Sequence, residues 1–310
     1  MSDPRIPPDL PVVMEQGSRP AGKAWLPTLP GLLDAAVARW ELKLGEPFCA
    51  GSAAWVAPAV RGSDGLEGVL KITMPHREAV YEGDGLRHWN GEGAVRVYEQ
   101  HRGDYALFIE RCHPGTALRD DPSTPEERLE VASELLARLW AQPVPEGSPF
   151  ETVDDVCREW ADLVRQRMAT IRPDLDPGLV ETGAALLETL PGSASRRVLV
   201  HGDFNPTNVL RSERETWLAI DAKPMIGDPG YDVLPLATQI DPSVATPDAD
   251  HLRRTFGLVS AVVREPDARL FAWAMARMVE SALWHASLAE LDGARSNMAW
   301  ARVLADLAGV

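Results

Sequence analysis

The sequence predicts an α+β protein of two lobes: an N-terminal arm and β-rich lobe over residues 1–111, then a mostly helical lobe over 112–310. Three observations carry this reading. Apolar runs of strand length alternate with turn signals between 39 and 111, apolar residues recur at helical spacing from 124 onward, and only 197–221 interrupts that helical series with short strands. At 310 residues the chain exceeds one ordinary domain, and with 45% hydrophobic and 25% charged residues it can bury a substantial core.

The first 30 residues are proline-rich and are expected to form a loosely ordered arm. In the β-rich lobe, WELKLGEPF and AAWVAPAV flank Gly51, GVLKITM follows the turn signal GSDG, and AVRVY and YALFIE come next. These read as strands of one sheet. A single helix is placed in HREAVYEGDGLRHW, where Gly83 and Gly85 each weaken it by roughly 1 kcal/mol relative to alanine, so its formation rests on tertiary packing. In the second lobe TPEERLEVASELLARLW opens with Thr124 as N-cap, Pro125 at the first helical position and Glu127 three residues after the cap, a capping box. Further helices are placed at about 152–170, 178–190, 248–263, 267–287 and 290–308, with Asp176 and Pro177 marking a start.

Charge and composition exclude several functions. A formal net charge of −15 disfavours nucleic acid and anionic membranes as partners, because a phosphate surface demands a basic footprint. Such a field favours a cationic substrate, although solubility alone accounts for the acidity of many proteins. The start MSDPRIPPDLPVV lacks a basic segment followed by an apolar core, and no run approaches the ~18 uncharged residues of a membrane span. The chain is therefore expected to be soluble, cytoplasmic and, by default, monomeric. Cys49, Cys112 and Cys157 are odd in number and lack paired spacing, so reduced thiols are expected.

The stretch VLVHGDFNPTNVL, residues 198–210, sets a polar knot between two apolar runs. His201, Gly202 and Asp203, with Asn208 five residues after the aspartate, reproduce the spacing of a kinase catalytic loop, with Gly202 where arginine is usual. Asp221 follows 18 residues after Asp203, at the end of the apolar run WLAI. Phosphoryl transfer needs a carboxylate to accept or orient the attacking hydroxyl's proton, and oxygen ligands to hold magnesium against a triphosphate. Asp203 fits the first need; Asn208 and Asp221 fit the second. His201 is the competing base, since histidine is the commonest general base, but at this place in the motif it serves as a brace. Lys71 in GVLKITM has apolar neighbours and precedes the helix that holds Glu82, matching the lysine and glutamate pair that positions the α and β phosphates. Glu78, one turn earlier, is the alternative glutamate, and a lone strand lysine is otherwise a solvent-facing residue. In ALFIERCHPG, backbone groups of Glu110 and Cys112 are candidates to pair with an adenine edge, where pattern alone gives a strand and a turn.

Together these segments, with WLAIDAKPMIGDPGYDV and ERCHPGTAL, resemble the aminoglycoside and hydroxyurea resistance kinase family over roughly residues 25 to 290. The family's DPKP and GDPxYD pattern stands here as Asp221, Ala222, Lys223, Pro224, then Gly227, Asp228, Pro229, Tyr231 and Asp232, with Ala222 in place of proline. The resemblance implies a protein-kinase-like fold, ATP with Mg2+, Asp203 as base, Asn208 and Asp221 as metal ligands, and Lys71 on the phosphates. It implies phosphorylation of a hydroxyl on a small molecule, most directly an aminoglycoside of the streptomycin type, with hydroxyurea and a metabolic sugar or aminocyclitol as alternatives. A kinase-type glycine-rich loop is absent, since the nucleotide-covering hairpin holds only Gly51. Asp228 and Asp232 are read as structural, bracing the loop and starting the helix that follows.

Two rival classes fit less well. A metallophosphoesterase also presents Gly-Asp beside histidine, but it needs a Gly-Asn-His segment and further histidines, whereas the seven histidines here are scattered. A non-catalytic nucleotide-binding protein would not need Lys71, Asp203, Asn208 and Asp221 all intact. For the acceptor, Glu151, Asp155, Glu159 and Asp162 recur at helical spacing, as an acidic face that either binds a cationic sugar or is simply solvated. Trp273, Glu280, Trp284 and His285 either line an acceptor pocket or pack the last helices.

Overall fold

Prolines open the N-terminal helices instead of breaking them. In the computed structural model, which describes residues 3–241, 243–244 and 246–310, Pro11 and Pro20 stand at the first positions of α1 (Pro11–Ser18) and α2 (Pro20–Trp25), and Pro30 lies in the first turn of α3 (Leu29–Trp40). A proline there loses no hydrogen bond, because the first N–H groups of a helix have no partner within it. The expectation of a loosely ordered arm is thereby corrected. Leu10, Val12, Trp25, Leu29, Leu33, Ala36 and Trp40 are buried in one core with Trp55, Leu70, Ile72 and Phe108 of the sheet.

That sheet comprises β1 (Leu42–Leu44), β2 (Ala54–Arg61), β3 (Glu67–Thr73), β4 (Val97–His101) and β5 (Ala106–Glu110), in the order β1-β2-β3-β5-β4. All four pairings are antiparallel. Alternation along β3 puts Leu70 and Ile72 on the face packed with the N-terminal helices and Lys71 on the other. The helix expected after β3 is short, α4 (Glu82–Trp89). Glu78 sits in a separate 3-10 turn, Arg77–Ala79, and so is not on the helix of Glu82. Gly83, read as a weakness in the sequence, permits the close approach of α4. A β-carbon there would lie 2.7 Å from Gln100 and from Leu107 of the sheet.

The chain divides into two units, one of residues 1–115 and 212–220, the other of 116–211 and 221–310. In the second, α5 (Pro125–Trp140) carries the complete capping box of Thr124 and Glu127, and α6 (Val153–Ile171) and α7 (Pro177–Thr189) follow. Asp176 caps α7 by accepting from the N–H groups of Gly178 and Leu179. Next come β6 (Val198–Val200) and β7 (Val209–Arg211). The chain then supplies β8 (Trp217–Ala219) to the first unit, where Ala219 exchanges backbone bonds with Gly93 and Val95, and resumes with β9 (Met225–Gly227). Four helices close the unit: α8 (Val233–Gln239), α9 (Ala249–Val263), α10 (Asp267–Ser287) and α11 (Leu291–Ala308). α10 is apolar on nearly every side and packs against α6, α7, α8, α9 and α11. No helix among the described residues is long and apolar enough to cross a membrane.

Candidate active site

β6 and β9 pair antiparallel, Val200 opposite Met225, and so hold the polar loop after β6 beside the segment that enters β9. The two are joined where the N–H of Lys223 donates to the carbonyl of His201 at 2.7 Å. Gly202 makes the join possible. Its φ is +83°, and a β-carbon would fall 2.0 Å from the carbonyl oxygen of Lys223, which explains glycine where kinase loops have arginine.

Asp232 fixes the same loop from below. Its carboxylate has no exposed surface and accepts the N–H of His201 and of Gly202, each at 2.7 Å, and the indole N–H of Trp140 at 3.0 Å. Burial pushes this carboxyl above the usual range, with the charge of His201 and the three donated bonds pulling the other way. Asp228, also wholly buried, accepts from Gly230 through one oxygen and from Arg269 and Trp273 through the other. Asp232 thus braces the loop, and Asp228 braces the turn that leads to α8. His201 is itself fully buried against Phe204, with its N–H and carbonyl engaged, which makes it part of the brace.

Asp203 keeps about a third of its side chain exposed. Its Oδ2 is 3.1 Å from Nζ of Lys223, and its Oδ1 accepts from Nδ2 of Asn205 at 3.2 Å. Asn205 is aimed by Thr207, whose N–H and hydroxyl both donate to its Oδ1. Asn208 donates Nδ2 to the backbone carbonyl of Asp203 at 3.0 Å, and this bond identifies Oδ1 as the atom a hard cation would take. Asp221, two residues before Lys223, has a φ of +59°. Among the described residues, the other non-glycine residues of positive φ stand at helix ends. Holding an aspartate in the left-handed region within a loop costs on the order of 1 kcal/mol or more, strain of the kind that collects at functional sites.

In the first unit Lys71 and Glu82 meet at 2.6 Å, with 8% and 4% of their side chains exposed. Glu110 is held differently. Its carboxylate takes both Nε and Nη2 of Arg214 and the N–H of Arg96, while its own N–H donates to the carbonyl of Arg96. Arg214 also donates to the carbonyls of Gly91 and Ala94, locking the chain around the end of β5. The Cys112 thiol, mostly buried and close to Glu110, is pushed up to about 12 by burial and then by that negative charge. Thus Lys71 lies with Glu82, while Asp203, Asn208 and the Asp221 to Lys223 segment gather in the second unit. Lys223, Asn205 and Arg214 are the neighbours to which sequence reasoning gave no role. Only the lysine had a signal, its place in the motif after Asp221.

Five of the residues considered for the acceptor, Asp155, Trp273, Glu280, Trp284 and His285, pair or pack with protein. Thr152 caps α6 by accepting the N–H of Asp155, whose carboxylate binds Arg158; Glu280 binds Arg167, whose guanidinium stacks on Trp284; His285 meets Glu290; Trp273 is wholly buried. Those contacts match the packing and solvated-face readings.

Residues 39–288 match the aminoglycoside/hydroxyurea antibiotic resistance kinase family. The chain belongs to that family. It is 34% identical to the streptomycin 6-kinase of Streptomyces glaucescens over 268 residues, 85% of each chain. It is 32% identical to the hydroxyurea phosphotransferase of Kitasatospora aureofaciens over 318 aligned positions, gaps included, covering 98% of this chain and 87% of that one. Among solved structures, aminoglycoside phosphotransferase APH(4)-Ia, as a thermostable mutant with ADP and hygromycin B, superposes with a TM-score of 0.62 over 89% of this chain and 98% of that chain, at 16% identity. The fold is protein-kinase-like, and this family member is a phosphotransferase acting on a hydroxyl group.

Proposed function

We propose that this kinase transfers the γ-phosphoryl group of ATP to a hydroxyl of a streptomycin-type aminoglycoside, and so confers resistance to it. The observation that carries the reading is the braced loop of Asp203 and Asn208 tied to the Asp221 segment, together with the streptomycin 6-kinase likeness. Asp203 accepts or orients the acceptor's proton. Lys71, set by Glu82, binds the α and β phosphates, and the carbonyl of Glu110 with the N–H of Cys112 receives the adenine edge. Asn208 and Asp221 hold Mg2+, which supplies charge neutralisation at the phosphates; a carboxylate and an amide oxygen are the hard donors that ion prefers. In this reading residues up to 111 carry the nucleotide and residues from 112 the acceptor chemistry, in a cytoplasmic monomer. The net charge of −15 favours capture of a cationic acceptor.

A second reading, phosphorylation of hydroxyurea, is favoured by the 32% likeness that spans 98% of the chain. Incubating the protein with ATP, Mg2+ and a panel of streptomycin, other aminocyclitols, hydroxyurea and neutral sugars tests both. Phosphorylation of streptomycin, abolished in a folded Asp221→Ala variant, is expected. Efficient turnover of neutral sugars with none of aminocyclitols, or full magnesium-dependent activity in Asp221→Ala, would overturn the assignment.

A further inference from the structure

The carboxylate of Asp203 is gripped at both oxygens, by Asn205 on Oδ1 at 3.2 Å and by the ammonium of Lys223 on Oδ2 at 3.1 Å. We propose that Lys223 is a positioning residue for phosphoryl transfer, holding the Asp203 carboxylate correctly turned toward the acceptor hydroxyl. This rests on the reading of Asp203 as the proton acceptor.

Three features support it. First, Asp203 is about a third exposed, and an aspartate's terminal torsion is soft and two-fold, so without partners the carboxylate would swing between orientations. Fixing both oxygens removes that freedom before the acceptor arrives, which is how a positioned group lowers a barrier. Secondly, the lysine is delivered by backbone that is itself locked. The N–H of Lys223 bonds the carbonyl of His201, and its own carbonyl lies where a β-carbon on residue 202 would be, so the glycine of the motif and the place of the lysine share one close contact. Thirdly, Lys223 is also about a third exposed, and an ion pair so open to water contributes little to folding. A role in turnover accounts for the contact better than a role in stability.

The bond changes leave Lys223 untouched. The acceptor O–H bond breaks as its oxygen forms a bond to the γ-phosphorus, the bond from that phosphorus to the β,γ-bridging oxygen breaks with its electron pair leaving on ADP, and the proton passes to Asp203 and then to water. Lys223 acts by keeping the accepting carboxylate in place, as Asn205 does without charge.

The test is steady-state kinetics with ATP, Mg2+ and streptomycin, or hydroxyurea if that is the acceptor turned over, on the whole chain. Lys223→Met, Lys223→Arg, Asp203→Asn and the double variant Lys223→Met/Asp203→Asn are compared, each with a thermal melt. Lys223→Met is expected to lose about 10- to 100-fold in kcat with KM for either substrate changed less than about 3-fold and an unchanged Tm, and arginine to restore most of the loss. In the Asp203→Asn background, the methionine should cost less than about 3-fold, because the group it serves is already neutral. Wild-type kcat in Lys223→Met, losses that multiply in the double variant, or an arginine variant no better than methionine would each overturn the proposal for Lys223. Full activity in Asp203→Asn would instead overturn the reading of Asp203, and the proposal with it.

Discussion

Lys71 and Glu82 form an ion pair that water hardly reaches, one partner from the middle of β3 and the other from the first position of α4. Taking two charges out of water is costly, and burying such a pair gains little over an apolar pair of the same size. Its presence here points to use more than to stability. Glu82→Ala is expected to destabilise the fold by about 3–5 kcal/mol, because it removes one partner of a buried ion pair. The double variant Lys71→Met/Glu82→Leu should regain most of that stability and still fail to turn over ATP. Chemical denaturation set beside a kinase assay checks both; a double variant with normal kcat would remove Lys71 from the phosphate site.

Asp232 should behave as the keystone of the loop. Asp232→Ala strands three N–H donors, those of His201, Gly202 and Trp140, at about 1–3 kcal/mol each, enough to threaten folding. Asp232→Asn keeps one accepting oxygen, so it should fold with a lowered Tm and lose kcat more than it raises KM. An asparagine variant with unchanged Tm and kcat would refute the bracing role.

Gly202 and Gly257 make a contrasted pair. Gly202→Ala forces a β-carbon to 2.0 Å from a backbone oxygen in the left-handed region, so loss of stability and activity is expected together. Gly257, inside α9, has open space around it, and Gly257→Ala should stabilise by about 0.5–1 kcal/mol. Melting curves of the two variants should move in opposite directions.

The thiols give a pH signature. Burial pushes Cys157 from an ordinary value of 9.0 to about 12, so its contribution to stability is present below pH 9 and is lost as pH rises through the interval from 9 to 12. At pH 10.5 that loss is ~2 kcal/mol, and Cys157→Ala should lose correspondingly less than wild type between pH 8 and 10.5. At pH 8 only roughly 10⁻⁴ of a thiol titrating near 12 is ionised, so iodoacetamide should modify exposed Cys49 long before Cys112 or Cys157. Equal rates at all three would contradict this.

The sequence carried the strand and helix succession because period 2 and period 3.6 are local properties, and the capping box at Thr124 because its parts lie within four residues. The loop spacing of Asp203 and Asn208 was legible for the same reason. Tertiary approach was not. The N-terminal helices were hidden because proline composition suggests disorder until each proline is seen to occupy a first turn. The grip of Arg214 on Glu110 spans 104 residues, and no local pattern announces it. Nor does spacing reveal that the backbone of Lys223 lies against Gly202, the contact that sets the lysine's place.

The loan of residues 212–220 to the first unit has a consequence during synthesis. A ribosome delivers the five sheet strands well before β8, and at about 5–20 residues per second the nearly 100 residues between Gly115 and Ser212 take roughly 5–20 s to translate. Throughout that interval the backbone of Gly93 and Val95 lacks its partner, and Glu110 waits without the guanidinium of Arg214. Codons that slow translation between positions 115 and 212 prolong that exposure and should lower the soluble yield.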